Sequence, residues 1–386
     1  GWCWVENLFD RTRNMSFLMR PSRFVSQTGT LWVWGAASAG NHGLGAPANR
    51  SVPTQVGTDT DWSLISLNDS GTNHINIKTD GTIWSWGGGA NGRHGHGDTN
   101  NRSSPVQLGS STSWTAAGGG DGAQAIIGGG KLYTMGYNVE GALGHNVGAA
   151  SASKSSPTQV GSATNWSKVQ GGLHSFVAIK TDGTLWGWGS QQFGNIGDGT
   201  VLSRSIPTQV GSATNWTQIA ATKYRTGAIN SDGELYMWGR GGYGQLGQGD
   251  SVDRSVPTQV GTDSDWAAIS INYGNCLALK DNGSLYVWGL GREGQLGNNT
   301  TGASAHVSSP IQVGDTTDFA FISMGNAMAK AVKTNGTLFV WGNNGAGQLG
   351  LGDVVKRSVP TQLGTDTNWG GVQSNSGNYN CAQVKV

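Results

Sequence analysis

Leu285-Tyr286-Val287-Trp288-Gly289 is one of seven copies of a short segment reading Leu-Trp-x-Trp-Gly. The others are Leu31–Gly35, Ile83–Gly87, Leu132–Gly136, Leu185–Gly189, Leu235–Gly239 and Leu338–Gly342. Their closing glycines lie 52, 49, 53, 50, 50 and 53 residues apart. A period near fifty, with turn residues between short apolar strands, predicts a β-propeller with one blade per repeat. A single blade cannot bury its own face, so the repeats close into one ring.

Working outward from blade three, Trp166–Gly171 reads as the first strand, at the central channel, and His174–Lys180 as the second. Asp182-Gly183 supplies the positive φ of a tight hairpin, which leads into Leu185–Gly189 as the third strand. Ser205–Val210 is the outer fourth strand, where Pro207 is tolerated because an edge leaves N–H positions unpaired. Pro53, Pro105, Pro157, Pro257, Pro310 and Pro360 take the same slot. The first strand opens on Trp62, Trp114, Trp166, Trp216, Trp266 and Trp369, with Phe319 in blade six. These slots read as packing between blades.

The strand phase at the two ends predicts how the ring closes. The chain finishes on a second strand, Cys381–Val386, and its repeats begin on a third strand, Leu31–Gly35. The seventh blade is therefore expected to pair two C-terminal strands with two N-terminal ones, leaving no open edge within the ring. Residues 29–386 form the all-β, seven-bladed propeller, and residues 1–28 are read as an N-terminal arm. The arm carries Trp2, Trp4, Leu8 and Phe9 with Arg11, Arg13, Arg20 and Arg23. Two readings of it stand: a cap on its own propeller, or an attachment arm that docks on a neighbouring subunit, since so much aromatic surface avoids water.

Composition narrows the function classes. Charged residues make up 12% of the chain and the net charge is +1, so no global field favours nucleic acid or an anionic membrane. No apolar run approaches the ~18 residues of a membrane-spanning helix. The chain begins at Gly1 without a charged-then-apolar leader, which leaves the compartment open. Cys276 and Cys381 occupy equivalent positions two blades apart, beyond the reach of a disulfide, so free thiols are expected; Cys3 could in principle reach one of them.

Gly244-Gln245-Leu246-Gly247, Gly294-Gln295-Leu296-Gly297 and Gly347-Gln348-Leu349-Gly350, together with the Trp-Gly and Pro slots, resemble the regulator of chromosome condensation repeat family. Gly92-Arg93-His94-Gly95 and Gly194-Asn195-Ile196-Gly197 are looser versions. The resemblance covers residues 29–386 and implies a seven-bladed propeller. It says less about role, because one fold hosts unrelated functions. Members serve as guanine nucleotide exchange factors that dock on nucleosomes, as light sensors built on a Gly-Trp-Arg-His-Thr context absent here, and as inhibitors gripping another protein with one face. The uniform repeats, low charge and Asn/Thr/Ser-rich turns look most like bacterial or bacteriophage members.

Catalytic and cofactor motifs do not assemble. Gly239–Gly244 and Gly289–Gly294 satisfy Gly-x-Gly-x-x-Gly after a strand, but no helix follows to face a pyrophosphate. His42 and His94 take the Leu246 slot, and His96 and His145 the Gln248 slot. Such positions diverge as blades fan outward, so these are loop histidines rather than metal ligands. No Ser/His/Asp or paired-carboxylate set can be built. No cofactor and no small-molecule substrate is expected.

Differences between repeats say more. The Asp-Gly hairpins and the Gly-Thr-Asp-x-Asp-Trp turns share one end of the ring and vary little. The loops after the first and third strands share the other end and vary widely. They present Tyr224, Arg225, Tyr273 and Tyr379, and then Tyr137, Phe193, Arg240, Tyr243 and Arg292, of types that dominate interface hot spots. Drift in solvent-facing loops is the plain alternative. The expected function is a non-enzymatic scaffold or binding module with protein partners, on a virion or bacterial surface. The alternative is an intracellular regulator, either an exchange factor for a small GTPase or a chromatin-binding protein.

Overall fold

Six repeats fold as four-stranded antiparallel sheets with their strands in chain order, a seventh sheet joins strands from both ends of the chain, and the seven form the ring. The computed structural model describes residues 28–67, 72–148, 152–302, 305–371 and 380–386. Blade three consists of Trp166–Gly171, Ser175–Lys180, Leu185–Gly189 and Arg204–Gln209. Period-2 alternation sends Leu185 to one seam and Trp186 and Trp188 to the other; Leu185 and Trp188 are buried, and Trp186 is half-exposed.

The hairpin chemistry explains why Asp-Gly-Thr precedes the tryptophan-bearing strands of blades one and three. Asp182 Oδ1 accepts from the Thr184 backbone N–H at 3.0 Å and from its hydroxyl at 2.6 Å. The Thr184 hydroxyl oxygen in turn accepts from Trp186 Nε1 at 2.8 Å. Asp80, Thr82 and Trp84 repeat the chain in blade one. At this end the strand-ending lysine bridges ring faces and acids. Lys280 Nζ lies 5.2 Å from the ring centres of both Trp266 and Tyr286, and 2.8 and 3.0 Å from carboxylate oxygens of Asp263 and Asp265.

The third-strand tryptophans lock the blades together. Trp288 Nε1 donates to the Gln245 carbonyl of the preceding blade at 2.8 Å. Trp34, Trp86, Trp188, Trp238 and Trp341 do likewise to Gln348, Asn41, Ala142, Asn195 and Gln295, at 2.8–3.0 Å. This contact accounts for the Gly-Gln-Leu-Gly signature. Leu246 is buried against the next blade, and Gly247, at φ +72°, sits where an added Cβ would lie 2.9 Å from Trp288 Nε1. At the seam between blades one and two, Met135 replaces the tryptophan.

Closure follows the expected two-plus-two arrangement. The sheet order is Arg50–Gln55, Thr30–Gly35, Asn380–Lys385, Trp369–Gly370. Thr30–Gly35 pairs with Asn380–Lys385 in an unbroken antiparallel register from Thr30↔Lys385 to Gly35↔Asn380. The arm, with Trp2, Trp4, Leu8 and Phe9, lies outside the described residues.

Candidate functional site

The variable end carries a continuous aromatic and cationic patch over blades three to five. Phe193 comes from the loop after the third strand of blade three, Tyr224 from the turn after the first strand of blade four. Their rings meet edge-on at 5.0 Å. Tyr273, from the equivalent turn of blade five, lies 6.1 Å from Tyr224. Arg240 Cζ sits 5.0 Å from the Phe193 ring centre and 5.7 Å from that of Tyr224. Lys223 Nζ lies 4.8 Å from the same tyrosine ring. Tyr243 flanks the group beside His306, 5.5 Å away. The sequence assigned these residues to one end of the ring; their convergence on one sector needs the blade-to-blade geometry.

The loops that bear these side chains are braced. In blade four the Thr222 N–H donates to the Arg225 carbonyl at 2.9 Å, and Arg240 N–H donates to the Tyr224 carbonyl at 2.9 Å. In blade five the Asn272 N–H donates to the Asn275 carbonyl at 2.9 Å. Tyr243 N–H donates to Gln245 Oε1 at 2.8 Å, while the carbonyl of Gln245 holds Trp288. The core seam therefore fixes the rim. Tyr243 and Tyr273 remain 41% and 43% exposed.

Arg225 requires a correction. Expected to face a partner, it is only 1% exposed. Its guanidinium reaches across the seam to the carbonyls of Asn272, at 2.8 Å, and Tyr273. It sits on a strand whose side chains alternate between the two seams, so it points into the neighbouring blade and acts as a strut for the Tyr273 turn. Arg292 is exposed on the blade-five loop and makes no ring contact or ion pair with the patch among the described residues. Tyr379 lies outside the described residues.

One sector back, charges are mixed. Tyr137 packs edge-on against His174 at 5.9 Å, Arg93 donates to the Asp121 carbonyl at 2.7 Å, and Glu140 accepts from the Ser203 hydroxyl at 2.8 Å. Burial holds His174 below its ordinary pKa.

A second titratable cluster lies in and beside blade one. His42 and His94, expected as loop histidines, are fully buried, and His74 joins them. His74 stacks on Trp86, with ring centres 4.7 Å apart and planes 13° from parallel. Burial pushes His42 and His94 down to about 4. It pushes His74 to about 3, with like charges on His42 and His94 adding to the effect. His74 escaped sequence reading because it lies within a strand, Asn73–Lys78, where no loop motif marks it. His96 and His145 are strand-side bonds instead, to Ser85 Oγ at 2.9 Å and Thr134 Oγ1 at 3.1 Å.

Among the described residues, no group of three or more His, Cys, Asp or Glu side chains is placed to hold a metal ion. Cys276 and Cys381 are buried, unbridged thiols. The described helical segments are two single turns, Ala90–Gly92 and Val139–Gly141, and none is long and apolar enough to cross a membrane. The patch borders a shallow hollow lined by Tyr224, Arg225, Arg240, Tyr243, Gln245 and Tyr273. It is far short of the ~300–1,000 Å³ of ordinary small-molecule sites, so the patch presents a surface rather than a pocket.

The model of the regulator of chromosome condensation (RCC1) repeat matches residues 80–125, 129–179, 182–229, 232–279, 282–327 and 335–383. The ultraviolet-B receptor UVR8 of Arabidopsis thaliana is 30% identical over 190 residues, 46% of this chain and 41% of the receptor. The chain thus spans less than half the length of the curated relatives it matches. Human WBSCR16 superposes with a TM-score of 0.80 at 20% identity, covering 93% of this chain and 99% of that one. Prp20p of Saccharomyces cerevisiae, whose crystal structure is described with its binding to Gsp1p and histones, gives 0.79 at 19% identity, covering 94% and 93%. These two likenesses concern the fold.

Proposed function

The chain belongs to the regulator of chromosome condensation (RCC1) repeat family, and from that premise we propose that it is a regulatory docking platform that binds a protein partner on the variable end of its ring. The observation that carries this reading is the convergence of Phe193, Tyr224, Arg240, Tyr243 and Tyr273 from four separate loops onto one sector. Aromatic residues and arginine on a rigid, half-exposed rim have the composition of interface hot spots. Tyrosine adds broad contact area at little cost in rotamer entropy. The hairpin end, by contrast, spends its aromatics and lysines on internal contacts.

The relatives favour a regulator that works by binding other proteins. UVR8 is a receptor, and Prp20p is described with two kinds of protein partner. Both are eukaryotic, and they lend no weight to a virion or bacterial-surface role.

A photo-crosslinking residue at Tyr273 should capture the partner, whereas one at Lys131 on the hairpin end should not. Replacing Tyr224 and Tyr273 by alanine should each cost about 2 kcal/mol of affinity, roughly thirtyfold. Capture from Lys131, with undiminished affinity in the double variant, would overturn the choice of face. Release of fluorescent GDP from a panel of small GTPases separates simple docking from nucleotide exchange.

A further inference from the structure

We propose that Arg240 and Lys223 form a preassembled carboxylate receptor, and that the partner segment received at the patch is acidic with apolar neighbours. This rests on the reading of the variable end as the docking face.

Elsewhere on this end, four arginines are neutralised within their own loops. Arg102, Arg204, Arg254 and Arg357 pair with Asp98, Asp198, Asp250 and Asp353 at 2.6–3.0 Å. Arg240 and Lys223 have no acidic partner among the described residues. The pair is also private to blade four. The slot after Trp-Gly holds Ala36, Gly88, Tyr137, Ser190, Leu290 and Asn343 in the other blades, and the Lys223 slot holds Asp121, Leu173, Tyr273 and Asn326 in four of them.

The rings around Arg240 argue against a cationic ligand. Phe193 and Tyr224 already have the chain's own guanidinium and ammonium against them, so an incoming methylammonium or lysine would meet like charge. Contact with the rings restricts the guanidinium's freedom, which lowers the entropic cost of forming a bidentate carboxylate pair. The half-exposed Tyr243 and Tyr273 then supply apolar surface beside it.

The extent of the charge argues against nucleic acid. DNA presents a phosphate about every 1.7 Å along its axis and needs a track of cations. Here there are two cations, with the Asp253 carboxylate accepting from the Gly241 N–H beside Arg240 at 2.8 Å, on a chain of net charge +1. One or two carboxylates match that footprint.

The test uses the full chain and fluorescence polarisation with three labelled probes. These are a short peptide alternating glutamate with leucine, its glutamine twin, and an oligothymidylate of similar length. The glutamate peptide should bind, and binding should weaken with salt. Arg240→Ala should lower its affinity by about tenfold or more, as expected for a desolvated charge pair. Arg240→Lys should fall between, because it keeps the charge and loses the planar fork. Lys223→Ala should weaken binding by about threefold to tenfold, mainly through the salt-dependent part, and Lys131→Ala should change nothing. Equal melting temperatures across the variants will exclude unfolding as the cause. Equal binding of the glutamine twin, tighter binding of the oligothymidylate, or indifference to Arg240→Ala would each overturn the proposal. If a partner crosslinks at Tyr273 yet ignores Arg240→Ala and Lys223→Ala, the acidic-segment inference falls while the docking face stands.

Discussion

Arg225 of blade four donates to the carbonyl of Asn272 in blade five at 2.8 Å, so a buried cation of one repeat holds the turn that presents Tyr273 from the next. Removing the side chain leaves two carbonyls without their donor and opens a cavity in the seam. Arg225→Ala should lower unfolding free energy by about 2–4 kcal/mol, read from urea titration at constant m-value. It should also weaken partner binding by loosening Tyr273, although Arg225 itself touches no partner. Unchanged stability would mean that the seam does not depend on this strut.

The glycine that closes each Gly-Gln-Leu-Gly motif has two separate reasons to be glycine, and they can be told apart. Gly247 and Gly211 both have positive φ, +72° and +62°. An added Cβ meets Trp288 Nε1 at 2.9 Å in the first and nothing within 4 Å in the second. Gly211→Ala should therefore cost only the left-handed backbone penalty, about 1–2 kcal/mol. Gly247→Ala should cost more, by about 1–3 kcal/mol of overpacking against the indole. Thermal unfolding of the pair measures the difference, and equal losses would remove the packing explanation.

Acid should weaken the ring around blade one. His42, His74 and His94 are held neutral in the fold, at about 4, 3 and 4 against 6.5 for the ordinary imidazole. The unfolded chain thus binds more protons between pH 6.5 and these values. The stability tied to neutral imidazoles is complete above pH 6.5 and is lost as pH falls toward 4 and then 3. Each histidine can withdraw up to about 1.4 kcal/mol per pH unit in that window. The cations facing the cluster, Arg50, Arg93 and Arg102, oppose protonation further. Blade three carries Phe176 at the His74 position, stacked on Trp188 at 5.6 Å. His74→Phe should accordingly shift the acid-unfolding midpoint to lower pH. A midpoint unmoved by this change would place the acid-labile point elsewhere.

The sequence alone carried the ring. Seven registered Leu-Trp-x-Trp-Gly segments gave the blade count, and the strand phase at the ends gave the Thr30–Gly35 to Asn380–Lys385 clasp, because β periodicity and hairpin chemistry are local. It also placed Tyr224, Tyr273, Phe193, Arg240 and Tyr243 at the same end, since each loop's end follows from the direction of its strand. What tertiary structure decided was direction and proximity across seams. Arg225 and Tyr224 are chain neighbours where a turn enters a strand, yet one points into the adjacent blade and the other to the rim. His42, His74 and His94 come from two blades and three separate segments. Period-2 alternation says that two faces exist, but every propeller blade packs both faces against neighbours, so neither burial nor meeting partners can be read from a single strand. Those depend on how the blades fan around the channel, which only the closed ring defines.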